Sequence, residues 1–179
     1  MSEVASLSVS VSLAAKFPWR FAALCGWMAA SSLLAVRLFV SFILGVRLLG
    51  RAMPLDCETI ERAVNLAKVR LGINKYVRVY GSQRMRGPVI WCWGRRPALV
   101  VPSLLQQSDI DWTGILCHEL AHCKRRDHIS GLLAELAVCI FPWHLLLWLA
   151  KSRLMHLSEQ ACDDWVIAAG QSGTDYAES

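Results

Sequence analysis

The apolar run over residues 129–150 constrains the fold of this chain more than any other feature. It separates His118-Glu119-Leu120-Ala121-His122 from Glu159-Gln160-Ala161-Cys162-Asp163. The first segment is an HExxH pattern in a helix-compatible stretch. On an α-helix, positions i and i+4 share a face, so both imidazoles can hold one metal ion. Glu119 sits about 100° round the helix and reaches a water on the metal rather than the metal itself. Zinc lowers the pKa of such a water towards ~7, and a carboxylate can then take its proton. That arrangement suits peptide hydrolysis. A catalytic zinc takes a third protein ligand and keeps one position open. Glu159 is the best downstream candidate, and His156, three residues before it, is its rival. The bland reading of the pentapeptide alone is a polar helix face with two surface histidines.

Hydropathy alone makes 129–150 a transmembrane segment, although Glu135, Pro142 and His144 interrupt it. A full crossing would hold His122 and Glu159 ~30 Å apart on opposite sides of a bilayer. Either Glu159 is not a ligand, or the run turns back. Pro142 offers the turn, because it breaks the helical ladder. From His122 to Pro142, 142−122 = 20 residues make about 30 Å of helix; from Pro142 to Glu159, 159−142 = 17 residues make about 25 Å. The expectation is a helical hairpin over 129–165, hinged at Phe141-Pro142-Trp143, dipping into a membrane or packed on its surface. Trp143 and Trp148 suit that interface. Asp163, four residues after Glu159 on the same helical face, is expected to accept a hydrogen bond from a liganding imidazole. Asp127 follows the motif helix. Its simpler roles are capping and pairing with Arg125 or Arg126; a place behind the ligands is the other.

The composition agrees with a membrane protein: 55% of residues are hydrophobic, 18% are charged, and the mean hydropathy is +0.38. Residues 21–36 carry no charge, and neither do residues 38–46 beyond Arg37. As helix this stretch is about 39 Å long, more than the ~30 Å hydrocarbon core. One span is expected, with Arg37 snorkelling near an interface and Trp19 and Trp27 as anchors. A secretory signal peptide fits less well, because the run is long and no small-x-small site ends it. Basic residues are denser after the span (Arg37, Arg47, Arg51, Lys68, Arg70) than before it (Lys16, Arg20). The positive-inside rule then puts the C-terminal part in the cytoplasm. The net charge of +5 flanks apolar runs, which fits contact with membrane lipid. No basic stripe interleaves with aromatics, so no direct nucleic-acid binding is expected. Seven cysteines, an odd number with no CxxC pair, argue against a disulfide framework and for a reducing compartment. Cys117 and Cys123 read as packing residues.

Between span and motif, Asp56 reads as the N-cap of a helix through Ile60, Val64, Ala67 and Leu71 that Gly72 closes. Short β-like runs follow at Tyr76 to Tyr80, Val89 to Trp93 and Ala98 to Val101, punctuated by Gly81, Gly87-Pro88, Gly94 and Pro97. They predict a small sheet, one edge of which can pair with an extended peptide. Ser108 and Asp111 form a capping box, and the motif helix is expected from Asp109 to about Arg126. The fold class is therefore α+β, membrane-associated and mainly helical. Residues 1–18 form a poorly ordered tail, 19–50 the span with its basic flank, and 51–179 the catalytic domain with its hairpin.

Several segments together resemble the BlaR/MecR-type integral-membrane metallopeptidases, which are gluzincins acting as antirepressor sensors. They are Gly87-Pro88-Val89-Ile90, Arg96-Pro97-Ala98-Leu99-Val100-Val101-Pro102, His118 to His122 on through Arg126-Asp127-His128, Phe141-Pro142-Trp143, Glu159 to Asp164, and Tyr176-Ala177. The resemblance implies His118, His122 and Glu159 as zinc ligands, Glu119 as catalytic base, and a catalytic domain facing the cytoplasm from the inner membrane. It implies a protein substrate, a BlaI/MecI-like repressor or the chain itself. Members of that family usually have several transmembrane helices and a sensor region after the domain. This chain departs from that pattern, with at most one clear span before the domain; a signal receiver is expected to be missing, supplied by another chain, or lost by truncation. Ser158 stands where the family often has a charged residue. Two rival readings remain: a quality-control protease of the HtpX/CAAX type, and a truncated, non-catalytic fragment.

Overall fold

The computed structural model describes residues 18–94, 96–103 and 110–170. The expected N-terminal tail, apart from Pro18, and the expected Ser108 cap lie outside them. Helix α1 (Trp19–Arg51) is 33 residues long and buries none of them. Its most apolar 18-residue window has a mean hydropathy of 2.0, so it is long and apolar enough to cross a membrane. It touches the rest of the protein at two levels. The Trp27 indole donates to the Ile140 carbonyl at 2.8 Å, and its ring meets Trp143 at 5.9 Å. Further along, Phe42 packs on Trp91 and Trp93. Gly45 lets the Trp91 ring lie directly against α1 at that level, where a Cβ would meet the ring.

Helix α2 (Glu58–Leu71) buries Ile60, Ala63, Val64, Ala67 and Leu71, one stripe at helical spacing, against the motif helix α3 (Trp112–Arg125). Each larger side chain so buried contributes roughly 1.5–3 kcal/mol. Gly72, at φ +63°, closes α2 in the left-handed conformation. The expected N-cap is corrected: Cys57 occupies the cap without a side-chain hydrogen bond, and Asp56 lies one residue outside. Acidic Glu58 and Glu61 in the first turn still suit the positive end of the helix dipole.

The sheet is small and mixed, in the order β1 (Met53–Pro54), β2 (Arg78–Ser82), β4 (Ala98–Pro102), β3 (Val89–Trp91). Strand β2 runs parallel to β4, with Tyr80 opposite Val100, while β1 and β3 pair antiparallel at the two edges. All five residues of β4 are buried, as its unbroken apolar sequence requires of a central strand. The sequence reading missed β1, which is two residues long and carries no alternation. It also placed β2 two residues early and ran β3 two residues too far.

Three helices complete the fold: α3, α4 (Asp127–Ile140) and α5 (Leu145–Ala168). Helix α3 starts three residues later than expected, and Asp111 caps it, its carboxylate accepting from the Thr113 N–H at 2.9 Å. Arg126 alone separates α3 from α4, at φ +63°. A side chain there costs roughly 1–2 kcal/mol, and the turn redirects the chain within one residue. The hairpin tip is Phe141-Pro142-Trp143-His144, braced by the Trp148 indole donating to the Pro142 carbonyl at 2.9 Å.

A candidate metal centre between two helices

Two turns of α3 and the second half of α5 supply the site. His118 and His122 stand one turn apart on α3. Glu159 arrives on α5 because the hairpin arms match: 140−127 = 13 steps up α4 are about 20 Å, and 159−145 = 14 steps down α5 are about 21 Å. The two Nε2 atoms are 3.2 Å apart. Glu159 places one carboxylate oxygen 3.4 Å from the His118 Nε2 and the other 3.7 Å from that of His122. Ligand atoms ~2 Å from a tetrahedral ion stand about 3.3 Å from one another. The three groups therefore lie close enough together to hold one metal ion. The rival His156 is exposed and belongs to neither of the two clusters of possible ligands among the described residues.

Each imidazole is aimed by a carboxylate behind it. The His118 Nδ1 lies 2.9 Å from an Asp163 oxygen, and the His122 Nδ1 lies 2.9 Å from an Asp127 oxygen. Both bonds favour Nδ1 as the protonated nitrogen and Nε2 as the one that faces Glu159 and would ligate. Asp127 also accepts from the Arg125 Nε at 3.3 Å, so its charge-pairing role and its place behind His122 coexist. It reaches back five residues because Arg126 turns the chain left-handed between them. Burial pushes the Asp127 carboxyl up, but hydrogen bonds with His122 and Arg125 outweigh it and hold the group below the usual carboxylate range. The buried Ser158 hydroxyl faces the same carboxylate without completing a hydrogen bond of ordinary geometry.

Glu119 projects to the side, into a cavity of about 440 Å³ that it shares with His122 and Glu159. Burial raises its pKa above the ordinary value; the neighbouring histidines and the Ile90 N–H of β3 pull the other way. A carboxyl so raised is a better proton acceptor near neutrality than an exposed one. Phe42 of α1, Ile90 and Trp93 beside β3, and Leu132 and Met155 of the hairpin wall the cavity. His128 lines it too, its ring edge-on to Trp93 at 5.1 Å. Glu135, the carboxylate inside the apolar run, meets Lys151 across the hairpin at 2.5 Å, and both border the cavity.

Three contributors were not expected from the sequence. Cys162 is fully buried, with Sγ 3.3 Å from the His122 Nδ1 and 3.6 Å from Asp127. Burial first, and the Asp127 charge next, push its thiol up to about 12, so it stays protonated and packs behind His122. Its spacing was legible: Glu159, Cys162, Asp163 and Val166 follow i, i+3, i+4, i+7 on one face of α5. Lys124 donates to the Leu71 carbonyl at 2.6 Å and lies over the Trp165 ring at 4.8 Å, tying α2, α3 and α5 together. Cys123, read as packing, faces Cys92 of the β3 flank, and the interaction lowers its thiol and raises that of Cys92.

A search of curated proteins returns no match to this chain. A family model described as BlaR1 peptidase M56 matches residues 15–179, and so spans α1, the sheet, the two-helix site and the hairpin alike. The chain belongs to the BlaR1 peptidase M56 family.

Proposed function

We propose that this chain is a membrane-embedded, zinc-dependent endopeptidase of the sensor and antirepressor type. Its substrate is a cytoplasmic protein, either a BlaI/MecI-like transcriptional repressor or the chain itself. The observation that carries the reading is the convergence of Glu159 with His118 and His122 at tetrahedral spacing, across a hairpin that returns α5 to α3. Zinc held there would polarise the scissile carbonyl and acidify a water. Glu119 takes the proton of that water and passes it to the leaving amine, a transfer its raised pKa favours. Asp163 and Asp127 keep the imidazoles in register. β3 is an edge strand and runs beside the cavity, where an extended peptide can add to the sheet. Helix α1 anchors the domain in the inner membrane, and its basic C-terminal flank favours the cytoplasmic side for the site.

The quality-control reading shares the same ligands; it differs in substrate. The test uses purified full-length chain in detergent with zinc, a BlaI/MecI-like repressor, and unfolded casein. The proposal expects one or a few cuts in the repressor or the chain, and a loss of at least about 100-fold in Glu119→Gln with zinc retained. Degradation of casein at many sites, with the repressor spared, favours quality control. Undiminished cleavage by Glu119→Gln removes Glu119 from the mechanism.

A further inference from the structure

A second cavity, of about 720 Å³, opens between the C-terminal end of α1, β1 and the turn after β2, on residues the metal centre does not use. On α1 it is lined by Leu44, Arg47, Leu48 and Arg51. These positions follow i, i+3, i+4, i+7 and form one stripe that begins apolar and becomes basic. From the far side come Arg84, Ser82 and Gln83. The Arg84 N–H bonds to the Ser82 hydroxyl at 3.3 Å, which folds the turn tightly there. Among the described residues no carboxylate lines the cavity, and none of the three arginines forms an ion pair. Three arginines border this one cavity, and its described lining holds no anion to balance them.

We propose that this cavity binds the headgroup of an anionic phospholipid, the arginines holding the phosphate and Leu44 and Leu48 the start of the acyl chains. The inference rests on reading α1 as the membrane span. The uncharged run 38–46 that closes the expected span ends just before Arg47. Arg47 then sits at headgroup level, with Arg51 one turn beyond. The stripe changes from leucine to arginine in the direction in which a lipid changes from chain to phosphate. A soluble phosphate would need the arginines and leave the leucines without a role. Basic residues near an anionic surface each favour binding about fivefold, so three give on the order of a hundredfold at low salt.

The full chain in zwitterionic detergent, mixed with equal phosphatidylglycerol and phosphatidylcholine, tests this by native mass spectrometry. Retained phosphatidylglycerol should exceed phosphatidylcholine at least about tenfold. The triple variant Arg47→Gln, Arg51→Gln, Arg84→Gln should bring the ratio within about twofold, while Arg62→Gln, paired with Glu58 on α2, should keep it. An unchanged ratio in the triple variant overturns the proposal. So does displacement of the lipid by equimolar inorganic phosphate, which would mark a soluble phosphate site. Circular dichroism of the triple variant checks its fold. Release of wild type from membranes by alkaline carbonate would overturn the spanning role of α1 separately. The variant should stay in membranes while losing the lipid preference.

Discussion

Asp163 and Asp127 touch no substrate in this account, yet they decide which nitrogen of each histidine faces the metal position. Asp163 holds the His118 Nδ1 at 2.9 Å; an amide in its place can offer its oxygen but carries no charge to favour the ligating form. Asp163→Asn should therefore weaken zinc binding about 10–100-fold. Competition against a chromogenic chelator measures this, and affinity equal to wild type would show that the contact orients nothing. The pairing of Asp163 with Glu159 at i, i+4 was legible in the sequence because both lie on one helix face. The bond of Asp127 to His122 was not, since within a single helix a residue five positions on points elsewhere. Only the left-handed Arg126 brings it back, and no glycine marks the turn. Cys92 and Cys123 were equally hidden, because their meeting depends on how β3 docks against α3.

At the scale of elements, the hairpin is what makes a site out of two distant segments. Pro142 and the similar arm lengths made the turn legible, and the structure ends α4 at Ile140 and restarts α5 at Leu145. The partner of Glu135 was not legible, because pairing across a hairpin depends on register. With side chains only 29% and 17% exposed, Glu135 and Lys151 are largely withdrawn from water. Lys151→Met should destabilise the protein by about 2 kcal/mol by leaving the Glu135 charge unpaired, whereas the double change with Glu135→Leu should recover most of the loss. Thermal unfolding in detergent reads both. A double variant as unstable as the single one would mean that the pair is not coupled. Short elements were the least legible: β1 is two residues, and its pairing with β2 follows from where α1 ends rather than from its own pattern.

For the whole molecule, α1, the sheet and the hairpin enclose one cavity, and the proposed chemistry requires both ends of the run 129–150 to lie on one side of the membrane. Cysteines introduced at positions 128 and 152 of an otherwise cysteine-free chain should react with an impermeant maleimide from the same side. Labelling from opposite sides would break the hairpin and leave Glu159 unable to meet the histidines. The central claim, that His118, His122 and Glu159 form one zinc site, is tested most directly by the metal content of the purified chain under non-chelating conditions. Wild type should carry about one zinc per chain, and Glu159→Ala should lose most of it while remaining folded. Zinc near zero in wild type, or undiminished in Glu159→Ala, would contradict the account.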